Sequence, residues 1–206
     1  WERYNRDRPG DIFILTRIAD GYKTIDNLES AKEYYHRALN INNGDSYALM
    51  GLADMYHKAG HDEQAILYYG QVLEKNPGMI NILTILGNLH RRLGTLEAAR
   101  GYFEQALALD KDNTYALYGM GHYYRWQRDY PKAISCWEKV LELSEGNADL
   151  LTRLGDAYRN TGDTKAAEAN YRLALDKGDD KYGLLGLAKV HAMRGELDQV
   201  VLCYRR

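Results

Sequence analysis

An all-α fold, built as a stack of helical hairpins, is predicted by three observations. Apolar residues recur three or four apart over short runs, a turn residue separates the runs in pairs, and the whole pattern returns every 34 residues. The period is clearest in residues 46–79. There Leu49, Leu52, Ala53 and Tyr56 form one stripe, Gly60 interrupts it, and Ala65, Tyr69, Val72 and Leu73 form a second stripe before Pro77 closes the unit. Counting Ser46 as position 1 gives every residue a phase in the repeat. A hairpin of this length cannot bury both stripes alone, so neighbouring hairpins must cover one another in a quasi-linear core.

Taken in order, residues 1–11 read as the tail of a preceding repeat or as an N-terminal cap. Trp1 falls on position 24 and Pro9 on position 32, but Tyr4 falls on position 27, where the other repeats carry Ala or Val. In 12–45, Leu15, Ile18, Ala19 and Tyr22 face Ala31, Tyr35, Ala38 and Leu39. The turn here has Asp26 and Asn27 in place of the glycine found at Gly60, Gly94, Gly162 and Gly195, where a left-handed residue ends the first helix without steric cost. The repeat 80–113 keeps Leu83, Leu86, Gly87, Ala99, Phe103, Ala106 and Leu107, and its His90 takes a tyrosine position, so it is expected in the core.

The repeat 114–147 keeps Leu117, Met120, Gly121, Tyr124, Ala133, Trp137, Val140 and Leu141, with Arg128 in the turn and Pro131 in the first turn of its second helix, where proline is tolerated. The repeat 148–180 is one residue short, a deletion assigned to its exit loop. The partial unit 181–206 carries Leu184, Leu187, Ala188, His191, Gly195, Val200 and Tyr204 and reaches Arg206 inside a second helix, which suggests a fragment of a longer array. Alanines at position 20 are expected to face the small residues at position 8, with the aromatic at position 24 filling the gap between repeats.

This order of residue types, leucine, small residue and tyrosine followed by alanine, aromatic and proline, resembles the tetratricopeptide repeat, whose period is also 34. The resemblance covers nearly the whole chain. It implies a right-handed superhelical solenoid of antiparallel helix pairs whose first helices line a concave groove at positions 2, 5, 9, 12 and 13. On those positions stand the candidate peptide-binding residues Tyr47, Asp54, Asn81, Asn88, Arg91, Tyr115, Tyr118, His122, Arg125, Trp126, Asp156 and Arg159. Arg91, Arg125 and Arg159 share position 12 and would form a ladder of guanidinium groups for acidic or carbonyl-rich positions of a peptide. A solvated helix face with local ion pairs is the competing reading, and Asp156 three residues before Arg159 fits it. One subset of the family grips the terminal carboxylate of chaperone tails. This chain departs from it, with Thr84 beside Asn88 where lysine would be expected and with Asp20 and Asp54 on earlier asparagine places.

The composition narrows the rest. Twenty-seven basic and 29 acidic residues are interspersed to a net charge of −2, so no broad positive field invites nucleic acid. No apolar run is long enough to insert into a membrane. Cys136 and Cys203 lie on the same phase of non-adjacent repeats, too far apart for a disulfide; thiols of that kind favour the cytoplasm and leave the periplasm open.

No catalytic, cofactor or metal constellation emerges. Gly119 and Gly121 lack a third glycine and sit inside a helix, Asp110 and Asp112 start a calcium-like loop that nothing completes, and His57 and His61 are parted by Gly60 with no third ligand. The expected function is therefore a non-catalytic interaction scaffold whose partner is a protein or peptide. The alternative is an architectural module that spaces other domains or self-associates through its terminal repeats.

Overall fold

A computed structural model describes residues 1, 4, 8, 10–178 and 180–205 of the chain. Among them are twelve α-helices and no strand: α1 (Ile12–Thr24), α2 (Leu28–Ile41), α3 (Ser46–Lys58), α4 (Asp62–Lys75), α5 (Ile80–Arg92), α6 (Leu96–Leu109), α7 (Thr114–Trp126), α8 (Tyr130–Leu143), α9 (Ala148–Thr161), α10 (Thr164–Asp176), α11 (Asp180–Met193) and α12 (Leu197–Arg205). They are paired antiparallel, first helix against second. The chain falls into two compact units, Trp1–Thr95 with α1 to α5 and Leu96–Arg206 with α6 to α12. The reading of residues 1–11 as a preceding repeat rests mostly on positions outside the described residues; within them, Trp1 meets the ring of Phe13 edge-on at 5.9 Å.

The helix boundaries follow from local chemistry. Asp45, Asn113, Asn147 and Asp163 each precede a helix, and each side-chain oxygen accepts the backbone N–H three residues on, satisfying one of the donors that a helix start leaves unpaired. Pro131 lies in the first turn of α8, as its missing N–H requires. The turn glycines adopt positive φ, and Asp26 and Arg128, the two residues that replace them, are forced into the same region at φ 60°. In the shortened repeat α10 ends at Asp176 and α11 begins at Asp180, so the lost residue comes from the end of the second helix and its exit.

In the first unit the core joins Leu15, Ala19, Ala31, Tyr35, Ala38, Ala48 and Leu52 across α1, α2 and α3. In the second, Leu117, Ala133, Trp137, Leu150, Leu154 and Ala157 do the same across α7, α8 and α9. The glycines on first helices make room for aromatic rings in particular. A Cβ on Gly121 or Gly155 would overlap the ring of Trp137 or Tyr171 in the same hairpin, and one on Gly51, Gly119 or Gly186 would overlap Tyr35, Phe103 or Tyr171 of the hairpin before. In the hairpins of Gly121 and Gly155 the glycine at position 8 makes room for the ring at position 24, while in 12–45 Ala19 and Ala31 share one core cluster.

His90 departs from expectation. It is half-buried at the end of α5, with its Nδ1 2.8 Å from the Thr95 hydroxyl in the turn, so it closes the helix end instead of filling the core. Neither cysteine forms a disulfide, and burial pushes the Cys136 thiol up to about 11, which keeps it unreactive at neutral pH.

Stability is not uniform in such an array, because each hairpin leans only on its neighbours. Helix α12 has no buried residue. Amide exchange is expected to be fastest in α12 and at least about a hundredfold slower in α8 and α9; equal protection in the three helices would contradict this.

Candidate functional site

The exposed side of each first helix starts at position 2 and ends near position 13, and what it offers depends on what the hairpin itself has already engaged. Three carboxylates at position 9 are engaged. The phenol of Tyr35 donates to Asp20 at 2.5 Å, Tyr69 to Asp54 at 2.7 Å and Tyr171 to Asp156 at 2.8 Å, so a ring buried at position 24 sends its hydroxyl out to the first helix of its own hairpin. Burial, reinforced by the adjacent carboxylate, pushes all three phenols well above their usual value. Where position 24 is Trp137, position 9 is His122, buried edge-on against the indole at 5.6 Å, while the indole N–H donates to the Tyr118 carbonyl at 3.2 Å.

In the first unit Asp54 is therefore tied to Tyr69, Asn88 donates to the Thr84 carbonyl at 3.1 Å, and Arg91, half-buried, donates its Nε–H to Asn88 at 3.3 Å. Asn81 is exposed at the start of α5. Tyr47 is 65% exposed and borders a pocket of about 240 Å3 lined by Ser46, Met50, Val72, Asn76 and Met79. The Arg17 guanidinium lies 5.2 Å from the centroid of Phe13 and 5.4 Å from that of Tyr47, bridging the position 2 rings of consecutive first helices.

In the second unit Tyr118 is bound to Asp149, and Arg153 donates to both, at 3.0 Å to the phenol oxygen and 2.8 Å to the carboxylate. Arg159 leans on Asp156 at 3.4 Å. Tyr115, 71% exposed, Trp126, 57% exposed, and the exposed Arg125 remain outside such networks. The twelve candidates thus divide. Asp54, Asn88, Arg91, Tyr118, His122, Asp156 and Arg159 are held by neighbouring groups, whereas Tyr47, Asn81, Tyr115, Arg125 and Trp126 face solvent.

Sequence reasoning passed over Arg17 and Arg153. The signal for Arg153 was its place four residues after Asp149 on a helix, a spacing that brings the two together. The tyrosine–aspartate bonds were also legible, because each repeat with aspartate at position 9 has tyrosine at position 24.

No group of three or more His, Cys, Asp or Glu side chains among the described residues could hold a metal ion, and no described helix is long and apolar enough to cross a membrane. Two family models described as tetratricopeptide repeat match residues 14–45 and 113–177, and one described as the TT21 fifth ARM repeats domain matches 45–128. A comparison with curated proteins by sequence gives no match. Among solved structures, MamA superposes with a TM-score of 0.74 at 24% identity over 82% of this chain and 93% of that one. YrrB, a TPR protein with an unusual peptide-binding site, gives 0.77 at 20% identity over 89% and 95%. The APC/C hetero-tetramer Cut9–Hcn1 gives 0.69 at 18% identity over 98% and 40%. At these identities the likeness is one of fold.

Proposed function

Because the chain is a tetratricopeptide repeat protein, a family whose members mediate protein–protein interactions, we propose that it is a non-catalytic scaffold binding an extended peptide or partner surface along its first helices. The observation that carries this reading is the exposed ring at position 2. Tyr47 in one unit and Tyr115 in the other open their helices with largely exposed aromatic faces, Tyr47 backed on one side by the Arg17 guanidinium. Asn81 and Arg125, exposed on their first helices, supply donors to peptide carbonyls and carboxylates. A step of about 10 Å between packed helices matches about three residues of extended chain.

Peptides selected from a displayed random library on the intact chain provide the test. Tyr47→Ala or Tyr115→Ala is expected to weaken the selected peptides about tenfold, with the melting temperature within about 2 °C of the parent. Full affinity in both variants would remove the reading's support. Self-association is the second reading, favoured by Leu197, Val201, Leu202 and Tyr204 exposed together on α12. Sedimentation would show a dimer that Leu202→Glu dissolves.

A further inference from the structure

We propose that the turn between α7 and α8 is a docking surface for an acidic protein segment, separate from the exposed position 2 rings. Four repeats place glycine at position 15, with φ between 76° and 86°, because only glycine enters that region without strain. Arg128 occupies the same position at φ 60°. An unbranched but Cβ-bearing side chain is thus held in the left-handed region, as Asp26 is at the same position of 12–45, at a backbone cost that glycine would avoid.

The residues around Arg128 are cationic and aromatic. Arg125, Trp126, Arg128 and Lys132 are all exposed around the turn. The nearby carboxylate, Asp129, is committed: it caps α8 by accepting the Lys132 N–H at 3.3 Å and pairs with the Lys132 ammonium at 2.7 Å. Glu97 is committed as well, accepting the Tyr123 hydroxyl at 2.9 Å and pairing with Arg100 at 3.6 Å. Neither Arg125 nor Arg128 has an ion-pair partner among the described residues.

Trp126 rests against Tyr123, ring centroids 6.1 Å apart, so the exposed indole has a fixed backing. The turn therefore presents two guanidiniums without ion pairs and an exposed indole close together in sequence, on a chain whose net charge is −2. Guanidinium forks match carboxylates in pairs, and the indole accepts an aliphatic side chain between them. The complementary partner is a protein segment with closely spaced Asp or Glu and an apolar residue among them. Arg125 and Trp126 also belong to the first-helix face proposed above, whereas Arg128 lies in the turn beyond the helix, so its variant reports on this surface separately.

The test uses the full chain and a fluorescein-labelled, capped hexapeptide of four glutamates and two leucines, followed by anisotropy at low and high salt. The parent is expected to bind in a salt-sensitive way. Arg128→Gly is expected to weaken binding about fivefold while leaving the melting temperature unchanged or raising it by up to about 4 °C, since glycine relieves the strained φ. Arg125→Ala with Arg128→Gly is expected to weaken it at least about tenfold, and Trp126→Phe to weaken it by less.

Lys165→Gln, which removes an exposed cation elsewhere in the same unit, is expected to bind like the parent. Parent-like affinity in the arginine variants, equal weakening by Lys165→Gln, or no binding by the parent would each overturn the proposal. Tighter binding of a single-stranded oligothymidylate than of the peptide would overturn it too, by assigning the turn to phosphate.

Discussion

Trp137→Ala is expected to lower the unfolding free energy by about 3 to 5 kcal/mol, the range for emptying a fully buried large aromatic site. The indole is completely buried and forms the centre of the packing between α7, α8 and α9, against Leu117, Ala133, Leu150, Leu154 and Ala157. It lies over Gly121, which has no side chain to collapse into the space, so the cavity stays open on that side. The change also removes the donor that meets the Tyr118 carbonyl.

Tyr204→Ala alters the same repeat position in α12, where the ring is 65% exposed, and should cost under about 1 kcal/mol. Urea unfolding read by circular dichroism decides between them, as a shift in midpoint at nearly constant slope. Equal losses would mean that α12 is covered by another molecule in solution, and would favour the self-association reading.

The hairpins were legible in the sequence because a 34-residue period forces every position to be read several times over. A wrong assignment in one repeat is corrected by the others, and even Asp26 and Arg128 take the backbone conformation of the glycines they replace. The candidate site was legible only in part, for a physical reason. Whether a side chain on a first helix is available depends on the second helix opposite it, and phase alone says nothing about that partner.

Asp54 and Asp156 looked like ligands until the phenols of Tyr69 and Tyr171 were found to reach them from the interior. Tyr118 and Asp149 contact each other across 31 residues and two first helices, a pairing that local spacing does not encode. His90 fails for the complementary reason: a polar ring at a tyrosine position finds the Thr95 hydroxyl and stays at the helix end.

The same tyrosine–aspartate bonds give the chain a steep alkaline limit. Tyr35, Tyr69 and Tyr171 are buried to within 1% of full coverage, and each phenol faces a carboxylate, so ionisation in the folded state would place two negative charges within hydrogen-bonding distance of each other. Their folded pKa values are raised above the unfolded value near 10. The folded state therefore holds protons that the unfolded state releases, and the stability these groups contribute is complete below about pH 10 and lost as pH rises above it. Each phenol costs about 1.4 kcal/mol per pH unit in that window, so the three together should remove about 4 kcal/mol per unit.

A variant with phenylalanine at Tyr35, Tyr69 and Tyr171 loses three hydrogen bonds, about 1 kcal/mol each at neutral pH, but also loses the alkaline liability. Its melting temperature should start below the parent's at pH 8 and then fall more slowly above pH 10, so that the two curves approach and cross. Parallel curves through that range would show that the phenols ionise without penalty, and that the carboxylates at position 9 are open to a partner after all.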